Sequence, residues 1–226
     1  ETALKACLTS RYPREDYVLT NKLTANFFKT EADIRPFFES QLAACGVDDF
    51  DFYLMHAQSM KNFEHFKACR AYETAFALKA EGKVRHVGIS FHDSAEVLDE
   101  ALTKHPEVEF VQLQLNYIDW TFQGGKEKVD LLNEYHIPVW VMEPLRGGRL
   151  ARLSEEEAAP LKAMRPDEAI PAWAFRFLQS IPSVTMVLSG MSDLEQVKAN
   201  IATFQMGVPL SSREMDRLLA QAQRMV

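Results

Sequence analysis

The 226 residues are 47% apolar and 25% charged, enough to build a sizeable core without a metal or a disulfide. A formal charge of −7 argues against a nucleic-acid partner or an anionic membrane surface. No apolar run reaches the length of a membrane span and no secretory signal opens the chain. Cys7, Cys45 and Cys69 lack CxxC spacing, so a reduced, cytoplasmic protein is expected, with no metal site.

In chain order, Glu1–Leu8 places Ala3, Leu4, Cys7 and Leu8 on one helical face. Arg11–Asp16 reads as a turn, and Tyr17–Thr20 as a short strand ending at Asn21-Lys22. Pro36 predicts a helix starting near Asp33, which keeps the ring in the first turn, and Gly46 closes that helix. Phe50–Met55 is the second strand, ending at His56, and a helix through Phe66, Tyr72, Phe76 and Leu78 follows. Gly82 suits a left-handed cap, and Val84–Ile89 is an apolar run of the kind buried on both faces. Ser90-Phe91-His92 then leads into an amphipathic helix, Ser94–Lys104.

Phe110–Leu115 reads as a strand with Gln112 and Gln114 embedded, ending at Asn116-Tyr117. Lys126–Tyr135 is helical, Val139–Met142 is a strand, and Glu143–Gly148 is a turn-rich exit. Ser154–Pro166, polar and interrupted by prolines, reads as an irregular loop. A helix from about Asp167 to Ser180 leads to the last strand, Val184–Leu188. Ser192–Glu195 and Ser211–Glu214 are capping boxes for the two final helices.

Six strands, each followed by a helix, imply a parallel sheet. No GxGxxG follows a strand, which disfavours a Rossmann fold. Polar residues at nearly every strand end favour a (β/α)8 TIM barrel, whose mouth lies at the carboxyl ends. Six strands do not close such a barrel. Residues 1–226 are therefore expected to form a single barrel domain, incomplete at the N-terminus, with about six βα units present and the first two missing.

The strand ends collect Lys22, His56, Ser90, Gln112 with Asn116, Met142 with Glu143, and Ser189-Gly190. Singly, each has an ordinary explanation. A lysine after a strand is usually solvated, and a histidine closing an apolar strand is usually a hydrogen-bonded core residue. Gln112 within an apolar run costs free energy unless paired, so it is either a satisfied core amide or a ligand contact. No HExxH, GxSxG or P-loop pattern competes with the grouping.

Asp51–His56 (DFYLMH), Gly82–Ser90 (GKVRHVGIS), Pro144–Gly148 (PLRGG) and Gly190 to Asn200 resemble the aldo/keto reductases, in the family's order, from Glu1 to about Phe204. Ser90–Ser94, Val141–Leu145 and Val187–Ser192 are similar to a bacterial subgroup whose members often carry a ferredoxin-like [4Fe–4S] segment. No cysteine cluster follows the barrel here, so such a centre would lie outside this chain.

The resemblance implies an oxidoreductase that holds NADPH or NADH across the barrel mouth and passes hydride to a small-molecule carbonyl, or from an alcohol. Lys22 matches the family lysine, which lowers the pKa of the proton-donating tyrosine, and His56 matches the histidine that orients the carbonyl. Ser90 and Gln112 match holders of the nicotinamide carboxamide, and Met142 stands where many members place an aromatic against the ring. Ser189, Gly190, Met191 and Ser192 match the adenosine-phosphate contacts at a helix N-terminus. Gln196 and Asn200 lie on that helix toward the adenine. The family tyrosine and its aspartate are expected upstream of Glu1. Phe91 replaces the usual asparagine, and Gln196 stands where NADP-specific members often carry arginine. The alternative is a nucleotide-binding or scaffold protein of the same fold without turnover.

Overall fold

The computed structural model describes residues 1–226 and contains six strands. They are β1 Thr20–Leu23, β2 Phe50–Gln58, β3 Val84–Phe91, β4 Val111–Gln114, β5 Val139–Met142 and β6 Val184–Val187. They stand in one sheet in chain order, and β1–β2, β2–β3 and β5–β6 pair in parallel. Parallel neighbours need a crossover, and helices supply it. This is the strand–helix order of a (β/α)8-type fold with six βα units present. The chain packs as two compact units, Glu1–Val111 and Gln112–Val226. No helix is long and apolar enough to cross a membrane.

The first unit carries α1 Thr2–Leu4 (continued by a π-helical turn, Lys5–Thr9), α2 Glu31–Cys45, α3 Phe63–Ala68, α4 Ala71–Ala80 and α5 Ala95–Lys104. Side-chain alternation along β2 divides its two faces. The Tyr53 hydroxyl donates to Gln41 of α2 at 2.7 Å, and its ring meets Phe38 edge-on at 5.2 Å. The alternate residues Phe52, Leu54 and His56 therefore point to the face away from α2.

Three boundaries differ from the sequence expectation. The first strand begins three residues later than Tyr17, because the Arg14 guanidinium takes the Tyr17 carbonyl at 3.1 Å and keeps it out of the ladder. Lys22 is consequently inside β1 rather than after it. Helix α2 starts at Glu31, so Pro36 sits in the second turn. The Asp33 carboxylate accepts from the Lys29 and Thr30 backbone N–H groups at 2.9 and 2.8 Å, a cap strong enough to fix the earlier start. The helix expected through Phe66 and Leu78 is two helices, broken at Arg70, whose φ is +50°.

The second unit carries α6 Asp119–Phe122, α7 Gly125–Glu134, α8 Glu155–Met164, α9 Ile170–Gln179, α10 Leu194–Met206 and α11 Ser212–Ala222. Trp173, Phe175 and Phe177 of α9 are fully buried. Arg176 is buried among them and stays paired, through Glu168 at 3.2 Å and the Thr203 carbonyl at 2.9 Å. The stretch expected to be an irregular loop, Ser154–Pro166, instead forms α8. Ser154 and Glu157 make a reciprocal capping box, and buried Ala158 and Leu161 anchor the helix despite the carbonyl left unbonded by Pro160. The cap of α10 is Asp193, one residue later than the box expected at Ser192.

Candidate functional site

Lys22, His56 and Ser90 come from three neighbouring strands of the first unit. Lys22 pairs in register with Leu54, and Leu54 with Gly88. His56 and Ser90 follow two residues further on, which returns a side chain to the same face. The three therefore share the face opposite the helices. The register slips between Met55 and Gln58, where Ala57 has a φ of +53°. Ser90 Oγ accepts the Ala57 N–H at 2.8 Å and so fixes the backbone beside His56.

The electrostatics follow from burial. Partial burial lowers the Lys22 pKa, and no carboxylate offsets that effect. His56 is lowered first by burial and then by the nearby positive charges of Lys22 and His92. A neutral imidazole beside an uncompensated ammonium results. His56 Nδ1 lies 2.8 Å from Thr24 Oγ1, which leaves Nε2 as the nitrogen free for a ligand. Thr24 was not anticipated as a site residue. Its position two residues after Lys22, immediately past the end of β1, was the available signal.

In the second unit, Gln112, Gln114 and Asn116 alternate onto one face of β4 and its continuation. Gln112 is buried, and its Oε1 has no hydrogen-bond donor. Such an acceptor is expensive unless a ligand supplies the missing N–H. A nicotinamide carboxamide has the required donor, so this orphaned oxygen fits the group that the resemblance implies.

A cavity of about 840 Å³ in the same unit brings together Met142, Ser189, Gly190, Ser192, Gln196 and Asn200. Met191 does not line it and lies exposed. No atom lies within 4 Å of where a Gly190 side chain would begin, so the backbone opens onto free space. Gln196 is half committed: its Oε1 accepts the Ser192 N–H at 2.8 Å, while its own N–H bonds Asp193. Asn200 Nδ2 reaches Ser189 Oγ only loosely, at 3.5 Å. The cavity is also lined by Glu143, Asp193, Glu195 and Arg152.

The model of the aldo/keto reductase family matches residues 1–222. The chain belongs to that family. Among curated proteins it is similar to the NADH-specific methylglyoxal reductase of Escherichia coli (strain K12), 24% identical over 216 residues. That match takes in 84% of this aldo/keto reductase chain, which spans 64% of the length of the relative. Among solved structures, the thermostable aldo-keto reductase Tm1743, crystallised with the inhibitor epalrestat, superposes with a TM-score of 0.80 at 20% identity. The match covers 97% of this chain and 76% of that one. The holo form of aldo-keto reductase AKR11C1 from Bacillus halodurans gives 0.75 at 23% identity, with the same coverage. At those identities the structural likeness carries the fold.

Proposed function

We propose that this aldo/keto reductase is an NADH-dependent reductase of small aldehydes or ketones, in which Lys22 and His56 are the catalytic residues this chain contributes. The observation that carries the reading is the pairing of a half-buried, unpaired ammonium with a neutral imidazole on one strand face. A binding module has no use for that pair, because an uncompensated charge there costs stability. A carbonyl reductase needs both.

With Thr24 donating to Nδ1, the His56 proton sits on Nε2, where it can donate to a carbonyl oxygen and orient it. That bond also stabilises the charge that grows on the oxygen as the carbonyl is reduced. Lys22 keeps a positive charge close by, which favours the anionic form of a neighbouring phenol acting as proton donor. When bound, the nicotinamide supplies the hydride. Gln112 would accept the carboxamide N–H through its orphaned Oε1, and Ser90 retains a hydroxyl proton to donate. Met142, Ser189, Gly190, Ser192, Gln196 and Asn200 would hold the rest of the dinucleotide, and Met191, outside the cavity, would not.

The preference for NADH over NADPH rests on charge. Glu143, Asp193 and Glu195 line the cavity against Arg152, and the Lys198 ammonium, 2.9 Å from Glu195, offsets one of the three acids. A further 2′-phosphate would enter a site that offers Arg152 as its one lining cation and keeps an excess of acid. The NADH-specific relative supports the same choice. Titration of the full chain with NADH and NADPH, followed by nucleotide fluorescence, tests the cofactor assignment. A screen of small aldehydes and ketones then tests turnover. Binding without turnover of any carbonyl would leave a nucleotide-binding protein instead.

A further inference from the structure

The segment that leaves β5 is held in a costly shape. Glu143, Arg146, Gly147 and Gly148 have φ values of +55°, +48°, +62° and +87°. Glycine adopts this region freely, but Glu143 and Arg146 are strained there, at roughly 1–3 kcal/mol each. Strain of this kind persists only where the surroundings over-determine it. Glu143, Gly147 and Gly148 line the 840 Å³ cavity, whereas Arg146 does not.

Arg146 points back toward the end of β4. Its Nε lies 3.2 Å from Asp119 Oδ1, and its guanidinium sits 5.3 Å above the Phe122 ring. The Asp119 side chain is wholly buried. Its Oδ2 accepts from Gln114 Nε2 at 2.9 Å and from Asn116 Nδ2 at 2.7 Å. Asn116 Nδ2 also reaches the Glu143 carbonyl at 3.1 Å, at the root of the strained segment. Oδ1 has no donor aligned for a hydrogen bond, so its tie to Arg146 is electrostatic. A buried carboxylate without that cation would be uncompensated. The network joins the strand carrying Gln112 to the segment lining the cavity.

We infer that Asp119 is a positioning residue for cofactor binding: through Arg146 and Asn116 it holds Glu143–Gly148 in the conformation that lines the cavity. The inference rests on the reading of that cavity as an NADH site. None of these groups touches the reacting atoms. Their contribution is to spare the cofactor the cost of ordering the segment, which is a matter of preorganisation.

The test is Asp119→Asn in the full chain, read by two measurements. Amide hydrogen exchange without cofactor should quicken about tenfold over residues 143–150 and stay unchanged across β5 and β6. NADH titration should show Kd rising about tenfold. In a double-mutant cycle, Arg146→Gln should add little to the Asp119→Asn effect, because either change breaks the same tie. Unchanged exchange would overturn the clamp whatever NADH does. Faster exchange with unaltered Kd would overturn the positioning role and leave a purely structural one. Failure of the unsubstituted chain to bind NADH would overturn the cofactor reading, and the positioning role with it, while the exchange result would still report on the clamp.

Discussion

Replacing Gln112 with Met separates the needs of the cofactor from those of the fold. The Gln112 side chain is 2% exposed, and its Oε1 is buried with no donor. An unsatisfied buried amide oxygen costs about 1–3 kcal/mol. Methionine is unbranched and close in volume, and volume-conserving replacements in a core cost less than about 1.5 kcal/mol. The cofactor-free Gln112→Met chain is therefore expected to gain about 1 kcal/mol, which for a chain of this size raises Tm by roughly 2–4 °C. Binding should move the other way. A lost hydrogen bond that leaves the carboxamide donor unpaired costs about 1–3 kcal/mol, so the Kd for NADH should rise by about tenfold to a hundredfold. Thermal unfolding followed by circular dichroism, and NADH fluorescence titration of the same samples, measure the two terms. A Tm several degrees lower would identify Gln112 as a core amide that the fold requires. A Kd within twofold of the original would remove it from the cofactor site.

Lys22→Met should abolish most carbonyl reduction while NADH affinity stays within a few-fold. Because the Lys22 pKa is lowered on folding, unfolding takes up a proton in the alkaline range just below the ordinary lysine value. Stability should therefore rise with pH there, and the rise should vanish in the variant; equal loss of binding and turnover would refute the catalytic assignment. The Arg165 guanidinium, through hydrogen bonds to both carboxylate oxygens, pulls the Glu214 pKa down to about 2. The stability this pair contributes is fully present above the unfolded glutamate value of about 4.3 and is lost as pH falls toward 2. Glu214→Gln should flatten Tm between those limits, and a parallel pH profile would refute the linkage. Gly88→Ala should destabilise the chain by about 1–3 kcal/mol in urea unfolding, since the added carbon would stand 2.6 Å from the Phe110 carbonyl oxygen. An unchanged midpoint would mean that β3 can move aside.

Local chemistry accounts for which elements the sequence disclosed. Val139–Met142 is a wholly apolar run and is a strand with those bounds. Ser211 and Glu214 form the reciprocal cap that their spacing announces. Where an apolar run ends but the backbone ladder continues, periodicity stops too early. β2 reaches Gln58 and β3 reaches Phe91, because His92 N–H bonds the Gln58 carbonyl and Ser90 Oγ bonds Ala57 N–H. Those extra residues flank His56 and Ser90, so the error falls at the site. Proline misled in the other direction. Pro36 and Pro160 both lie within helices, because caps by Asp33 and by Ser154 with Glu157 act together with buried faces (Ile34, Phe38 and Leu42; Ala158 and Leu161) to offset the turn each proline weakens.

The site itself divides along the same line. Lys22, His56 and Gln112 stood out in the sequence because a polar residue in or beside an apolar strand needs a reason, and in the fold the Lys22 ammonium has no carboxylate to offset its burial and the Gln112 oxygen has no donor, while His56 is tied to Thr24 through Nδ1. Asp119 and Arg146 carried no such mark, since an acid in a short helix and an arginine in a turn are ordinary on any surface. Their importance appears only when burial is known: one side chain is sealed from solvent and the other is its cation. Residues whose cost must be met by a ligand are therefore visible in a sequence, whereas residues whose cost is met by one another become visible only in the folded chain.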